Sequence, residues 1–197
     1  MFRISTLPLI ALLLAACGTD LEPKGNGQKE PEPGESRITH VETGDGTLTT
    51  TVDATHAESW VFLDLDAARE VDEAAGTWEL AFQRMHIIGN GASGVVTAWV
   101  EGKEIGAVPD EAQFRADPVD RDQAQAEGVF QTTDPDDPTG AGAWYAYNLG
   151  THSLKPRERV YFVKSDEGRL FALIFLDYYD DAGTSGYTKF KWSEVVP

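Results

Sequence analysis

The sequence predicts an all-β fold: one antiparallel β domain with a long irregular loop, placed after a signal peptide and a flexible tether. Three observations carry this expectation. Short apolar runs with a two-residue alternation recur from residue 38 to residue 192. Clusters of Gly, Asn and Asp separate these runs at turn spacing. The chain has 197 residues, 41% of them apolar, which suffices for one core but not for several.

Residues 1–16 read as a signal peptide, with Arg3, an apolar stretch from Leu7 to Leu14, and the small residues Ala15 and Ala16 ahead of Cys17. The apolar stretch is short of the roughly 20 residues a membrane span requires. Leu14-Ala15-Ala16-Cys17 resembles the bacterial lipobox, which implies that the Cys17 thiol carries a diacylglycerol and becomes the first residue of the mature chain. Cys17 is the sole cysteine, so the composition excludes an intramolecular disulfide framework, and a mature chain acylated there has no thiol chemistry. The expected location is the bacterial cell envelope, as an outer-membrane lipoprotein on its periplasmic or surface face. Gly18, where an acidic residue is absent, is compatible with that delivery.

Residues 17–37 form the lipidated cysteine and its tether, rich in Pro, Gly, Glu and Lys, with Leu21 as the one sizeable apolar side chain after Cys17. The tether carries a net charge near −2, and residues 38–197 carry about −16 of the total −17. A surface this acidic excludes nucleic acid as a partner, because phosphate neutralisation needs a basic face. It also makes anionic lipid a poor partner for the domain itself, leaving the lipid on Cys17 as the membrane attachment.

Within residues 38–197, Ile38 to Val52 reads as a hairpin around Gly44-Asp45-Gly46, and Trp60 to Leu65 as the next strand, with Asp64 and Asp66 on one face. The alanines between Asp66 and Ala75 predict a short helix. Thr77 to Ile88 is expected as one strand ending in the turn Gly89-Asn90-Gly91-Ala92-Ser93-Gly94, with Val95 to Val100 following. Residues 101–142 are rich in Asp, Gln, Ala, Pro and Gly, with Phe114 and Phe130 as isolated anchors, and are expected to form a binding loop rather than core. Four strands close the chain: Trp144 to Ser153, Arg159 to Ser165, Leu170 to Tyr179 and Tyr187 to Trp192.

Three segments carry a resemblance to a known family. The first joins Trp60 to Leu65 with Trp78-Glu79-Leu80-Ala81-Phe82-Gln83-Arg84 and Asn90-Gly91-Ala92-Ser93-Gly94. The second is Trp144-Tyr145-Ala146-Tyr147 with His152-Ser153-Leu154-Lys155-Pro156. The third runs from Val160-Tyr161-Phe162-Val163 through Gly168, Leu170 and Tyr178-Tyr179 to Gly186-Tyr187-Thr188 and Phe190-Lys191-Trp192. Their order and spacing resemble the HmuY family of haem-binding lipoproteins. The resemblance implies a secreted or cell-surface lipoprotein that captures haem for iron acquisition and hands it to an outer-membrane receptor. It also implies axial ligation by two side chains, two histidines in the founding protein and methionines in some relatives.

Haem iron takes an imidazole, thioether or phenolate ligand inside a slot whose walls exclude water. The histidines are His40, His56, His86 and His152, and the only methionine after the signal peptide is Met85. His152, in the family-like HxLxP stretch after an aromatic strand, is the leading candidate for the iron, beside its reading as a polar residue at a strand end. His86 is a second candidate, although a position facing solvent or hydrogen-bonded beside the Asn-Gly turn is the preferred reading of it. Placed late in one strand, Met85 and His86 would point to opposite faces. Tyr145 and Tyr147 offer phenolates or plain packing surface. His40 and His56 read as surface residues. Residues 101–142 contain neither His nor Met, which keeps a second function open: an envelope lipoprotein of the same fold acting as a structural or interaction module.

No enzyme is expected. Carboxylates are abundant, but abundance does not set a catalytic pair, and Ser93 lacks a Gly-x-Ser-x-Gly elbow. Asp134 to Gly140, and Asp177 with Asp180-Asp181, read as solvated acidic turns rather than calcium loops, since neither has the EF-hand spacing.

Overall fold

Alternating burial sorts the chain into two packed sheets and a separate hairpin. The computed structural model describes residues 35–131 and 143–196, all within one compact unit. The signal peptide, Cys17, most of the tether and the Asp134 to Gly140 stretch lie outside the described residues.

The main sheet contains β1 (Ile38–Glu42), β2 (Leu48–Asp53), β7 (Val96–Glu101), β10 (Arg159–Lys164), β11 (Leu170–Tyr179) and β12 (Ser185–Glu194), in the order β1-β2-β12-β11-β10-β7. Every neighbouring pair is antiparallel. The first hairpin forms as expected, with Ile38 opposite Val52 and Gly44 and Gly46 at φ 89° and 79° in the turn. These left-handed conformations cost glycine little because it has no Cβ. A second sheet contains β3 (Val61–Asp64), β4 (Arg69–Val71), β5 (Leu80–Gln83) and β6 (His86–Gly89), in the order β4-β3-β5-β6. β8 (Tyr145–Asn148) and β9 (Ser153–Pro156) pair only with each other.

The core lies between the inner faces of the two larger sheets. Val61, Leu63, Leu80, Phe82 and Ile87 from the second sheet meet Val52, Tyr161, Val163, Phe171, Leu173, Phe175, Phe190 and Trp192 from the main one. Phe82 stacks on Phe190 at 5.8 Å between ring centroids, and Trp144 reaches Phe175 at 4.8 Å. Each fully buried large side chain of this kind stabilises the fold by roughly 1.5–3 kcal/mol. The outer face of the second sheet is also apolar and is covered by α1 (Arg121–Glu127), where Ala124 packs with Trp60, Phe62, Trp78, Ala81 and Ile88. Asp120 starts this helix by accepting the Gln123 backbone N–H at 2.9 Å. No helix among the described residues is long and apolar enough to cross a membrane.

Four local expectations change. The helix expected over Asp66 to Ala75 is instead a turn, the strand β4 and a 3-10 turn at Glu73–Ala75, because residues 69–71 hydrogen-bond onto the edge of β3. The single strand expected from Thr77 to Ile88 is the hairpin of β5 and β6, folded at Arg84 and Met85 with Gln83 opposite His86. Arg84 takes φ 53°, and its backbone N–H donates to Ala54 O at 2.8 Å. Trp144 to Ser153 is likewise no single strand, since the chain reverses between β8 and β9.

The excursion after residue 101 is part of the packed fold. Phe130 is fully buried and stacks on Tyr161 at 4.7 Å. Asp117 fixes this segment: its carboxylate accepts the backbone N–H groups of Gly89 and Val129, each at 2.7 Å. The contact needs small residues nearby, because a Cβ on Gly91 would stand 2.0 Å from Asp117 O.

Candidate functional site at the aromatic hairpin

The β8–β9 hairpin gathers three of the four residues expected to contact haem. Asn148 shapes its turn, with Oδ1 accepting the N–H groups of Gly150 at 2.8 Å and Thr151 at 3.1 Å. This side-chain turn reverses the chain and leads into His152, which adopts φ 52°. A histidine in the left-handed region is uncommon, since its Cβ crowds the backbone there.

Tyr145 and Tyr147 share one face of β8 by the two-residue period, but their environments differ. Tyr145 is half-buried, with its ring 5.5 Å from that of Trp144, and burial raises its phenol pKa, keeping it protonated. Tyr147 is 45% exposed, and its Oη lies 3.1 Å from His152 Nδ1. The rings meet edge-on at 6.3 Å. Since Nδ1 is engaged by the phenol, Nε2 of the exposed His152 ring is the nitrogen left for coordination. Leu149, 80% exposed, adds apolar surface at the same turn.

The base of the hairpin is firmly tied. Leu154 N–H donates to Tyr179 Oη at 2.9 Å, and Arg157 Nε donates to Tyr145 O at 3.0 Å. Trp144 N–H donates to Phe130 O at 2.8 Å, joining the two flanks of residues 132–142. Trp144 Nε1 and Gln131 Nε2 both donate to Met85 O, each at 2.9 Å. Met85, 37% exposed, therefore adjoins the hairpin through its backbone.

His86 begins β6, one residue beyond that carbonyl, and is not on the hairpin. It is partly buried, with Nδ1 shielded from solvent and without a hydrogen-bond partner. Burial lowers its pKa and holds the ring neutral. His40 is half-buried rather than a simple surface residue, with Nδ1 2.7 Å from Thr50 Oγ1 and the Trp192 ring edge-on at 6.4 Å. His56 is partly buried between β2 and β3.

In the acidic turn at the end of β11, Asp177 and Asp180 each turn one carboxylate oxygen to the local backbone. Asp177 Oδ1 accepts the N–H of Tyr178 at 2.7 Å, and Asp180 Oδ1 accepts those of Ala182 and Thr184 at 3.0 and 2.6 Å. Sequence reasoning missed Asp117, whose Asp-Pro setting resembles any other turn. It also passed over the chemistry of Glu79, although a carboxylate inside Trp78-Glu79-Leu80-Ala81-Phe82 was a visible signal of a buried charge.

The fold and the hairpin define a class: two-sheet antiparallel β proteins that display a polar-aromatic hairpin separate from their larger sheets. Within that class, the chain belongs to the HmuY protein family, whose family model matches residues 56–192. The comparisons indicate no catalytic family. Among solved structures, a protein described as a lipoprotein from Bacteroides fragilis superposes with a TM-score of 0.57 at 18% identity, over 80% of this chain and 96% of that one. A protein described as HmuY-like and haem-binding, from Bacteroides vulgatus, gives 0.52 at 16% identity, over 80% and 97%. The apo form of an HmuY analogue from Tannerella forsythia gives 0.54 at 14% identity, over 81% and 97%. Identities this low establish the shared fold. No curated protein matches the chain.

Proposed function

We propose that the protein is an envelope lipoprotein, anchored through Cys17, that captures haem at the β8–β9 hairpin and passes it to an outer-membrane receptor for iron acquisition. The carrying observation is the Tyr147–His152 pair in a chain of the HmuY family. A metal-binding imidazole is commonly oriented by a hydrogen bond at its other nitrogen. Tyr147 supplies that bond to Nδ1, so His152 Nε2 is the proposed axial ligand. Tyr147 and Leu149 offer surface to the macrocycle, and Tyr145 supports the hairpin from beneath. His86, neutral and with an unpartnered ring nitrogen, is the second ligand candidate. With neither His nor Met in residues 101–142, His152 is the principal protein ligand and the affinity is modest.

Titration of the purified protein with haemin tests this reading. The expected result is a shifted Soret band, with His152→Ala weakening binding at least tenfold and His86→Ala acting only if that ring supplies a sixth ligand. A Soret shift indifferent to His152→Ala removes the site. The exposure of Tyr147 and Leu149 favours a second reading, in which the hairpin contacts another envelope protein. A chain with no Soret response at all supports that alternative.

A further inference from the structure

A cluster of buried carboxylates lies where β3 turns into β4, on the second sheet. Asp64 ends β3 and is 4% exposed, Asp66 follows in the turn with its side chain nine-tenths buried, and Glu79, just before β5, is fully buried. One carboxylate oxygen from each can be chosen so that all three lie within 4.8 Å of one another. Such proximity is unfavourable among anions removed from water unless something compensates the charge.

Hydrogen-bond accounting shows how the three groups are held. Glu79 Oε2 accepts the Leu65 N–H at 2.5 Å, and Asp64 Oδ1 accepts the Ala67 N–H at 2.7 Å. Asp66 Oδ1 accepts from Arg169 Nη1 at 3.1 Å. Each carboxylate is thus oriented through one oxygen. The second oxygens of Glu79 and Asp66, Oε1 and Oδ2, are buried and have no hydrogen-bond partner. Orphaned acceptors of this kind are rare in folded proteins, and carboxylate oxygens left unpaired inside a fold call for a donor or a cation.

Arg169 does not supply the missing compensation. It meets Asp66 through Nη1, while Nη2 is engaged by Glu194 at 2.6 Å. Of the three clustered carboxylates Asp66 alone meets this guanidinium, and it shares it with Glu194. A cavity of about 280 Å³ adjoins the cluster, lined by Asp64, Asp66, Arg69, Thr77, Asp166 and Glu167. It gives an ion a route in, and its further acidic side chains come from the turn between β10 and β11.

We propose that Asp64, Asp66 and Glu79 form a calcium site, closed by water and by the acidic side chains of the Asp166-Glu167 turn. The all-oxygen donor set selects a hard cation and disfavours zinc, which prefers nitrogen and sulfur. Several carboxylates in an irregular turn suit calcium's flexible coordination of six to eight oxygens better than the strict octahedron of magnesium. Bound there, the ion would fasten the β3–β4 turn to the start of β5. The site is on the second sheet, apart from the aromatic hairpin, and the inference does not depend on haem binding.

The test is calorimetric titration of chelator-treated protein with calcium chloride, together with thermal unfolding in calcium and in magnesium. One calcium ion per chain is expected, with a rise in the unfolding midpoint that grows with ion concentration as binding to the folded state requires. Glu79→Gln and Asp66→Asn should each weaken binding at least tenfold, whereas Asp180→Asn, on the solvated turn after β11, should leave it unchanged. If Glu79→Gln fails to fold, Asp64→Asn provides the same comparison. The proposal is overturned by no calcium response in the wild-type protein, by a response of equal size in magnesium, or by one that survives the cluster substitutions.

Discussion

The indole Nε1 of Trp144 donates to the carbonyl oxygen of Met85 at 2.9 Å, crossing from the first residue before β8 to the turn between β5 and β6. The Trp144 ring also packs on Phe175 at 4.8 Å, so the residue joins core packing to the positioning of the hairpin. Trp144→Phe should keep most of the packing and lose about 1 kcal/mol for the hydrogen bond. Trp144→Ala should cost about 3–5 kcal/mol by opening a cavity. Urea unfolding of the two variants separates the contributions, and equal losses would argue against the hydrogen bond.

Tyr147→Phe isolates the role of the phenol. The ring remains for contact with the macrocycle, while the partner that fixes His152 Nδ1 is lost. Haemin affinity should fall severalfold, less than for His152→Ala, and the ligand-field bands should broaden as the imidazole loses its orientation. Because both side chains are exposed, neither substitution should change stability by more than about 0.5 kcal/mol.

Asp117 makes a stability prediction independent of ligand. Asp117→Ala removes the carboxylate that accepts from the buried N–H groups of Gly89 and Val129. The expected cost is about 3 kcal/mol, given that removing the acceptor of a buried hydrogen bond costs roughly 1–3 kcal/mol. Gly91→Ala should also destabilise, by about 2 kcal/mol or more, since its methyl group would overlap the Asp117 carbonyl. Denaturant midpoints measure both effects.

Glu79 predicts a pH dependence. Burial, followed by the charges of Asp66, Asp64 and Asp166, pushes its carboxyl from 4.5 up to about 8, against the pull of the Leu65 N–H. Below about 4.5 both folded and unfolded chains hold this proton; between 4.5 and 8 only the folded chain does. The associated stability is therefore fully present below the unfolded value and is lost as pH rises through about 8. In chelator-treated buffer, wild-type stability should fall relative to Glu79→Gln across that window, with a slope of up to about 1.4 kcal/mol per pH unit. A flat difference between the two proteins would show that Glu79 is not protonated in the fold.

The strands that sequence reasoning located best are those whose alternation is reinforced by tertiary pairing. β10, β11 and β12 are separated by turns containing Gly168 and Gly183, and their apolar positions face the core. The β5–β6 hairpin was hidden because Arg84-Met85 has no Gly or Asn. Its left-handed Arg84 is supported by distant partners, including Thr55 O, which accepts from Nη1 at 2.8 Å. The β8–β9 reversal did carry a signal in Asn148 and Gly150, but it was embedded in an aromatic run that looked continuous. Phe130 read as an isolated anchor because its partner Tyr161 is 31 positions away in the sequence. For the candidate site, the sequence offered His152 and Tyr147 separately; their hydrogen bond depends on that reversal, which the aromatic run concealed.

The hydrogen bond from Trp144 N–H to Phe130 O closes the frame on either side of residues 132–142. Both ends of that bond are themselves held by the core, Phe130 against Tyr161 at 4.7 Å and Trp144 against Phe175 at 4.8 Å. The point where the chain enters β8 is therefore set by the core, so the exposed side chains of the β8–β9 hairpin can be exchanged while the place from which it springs stays fixed.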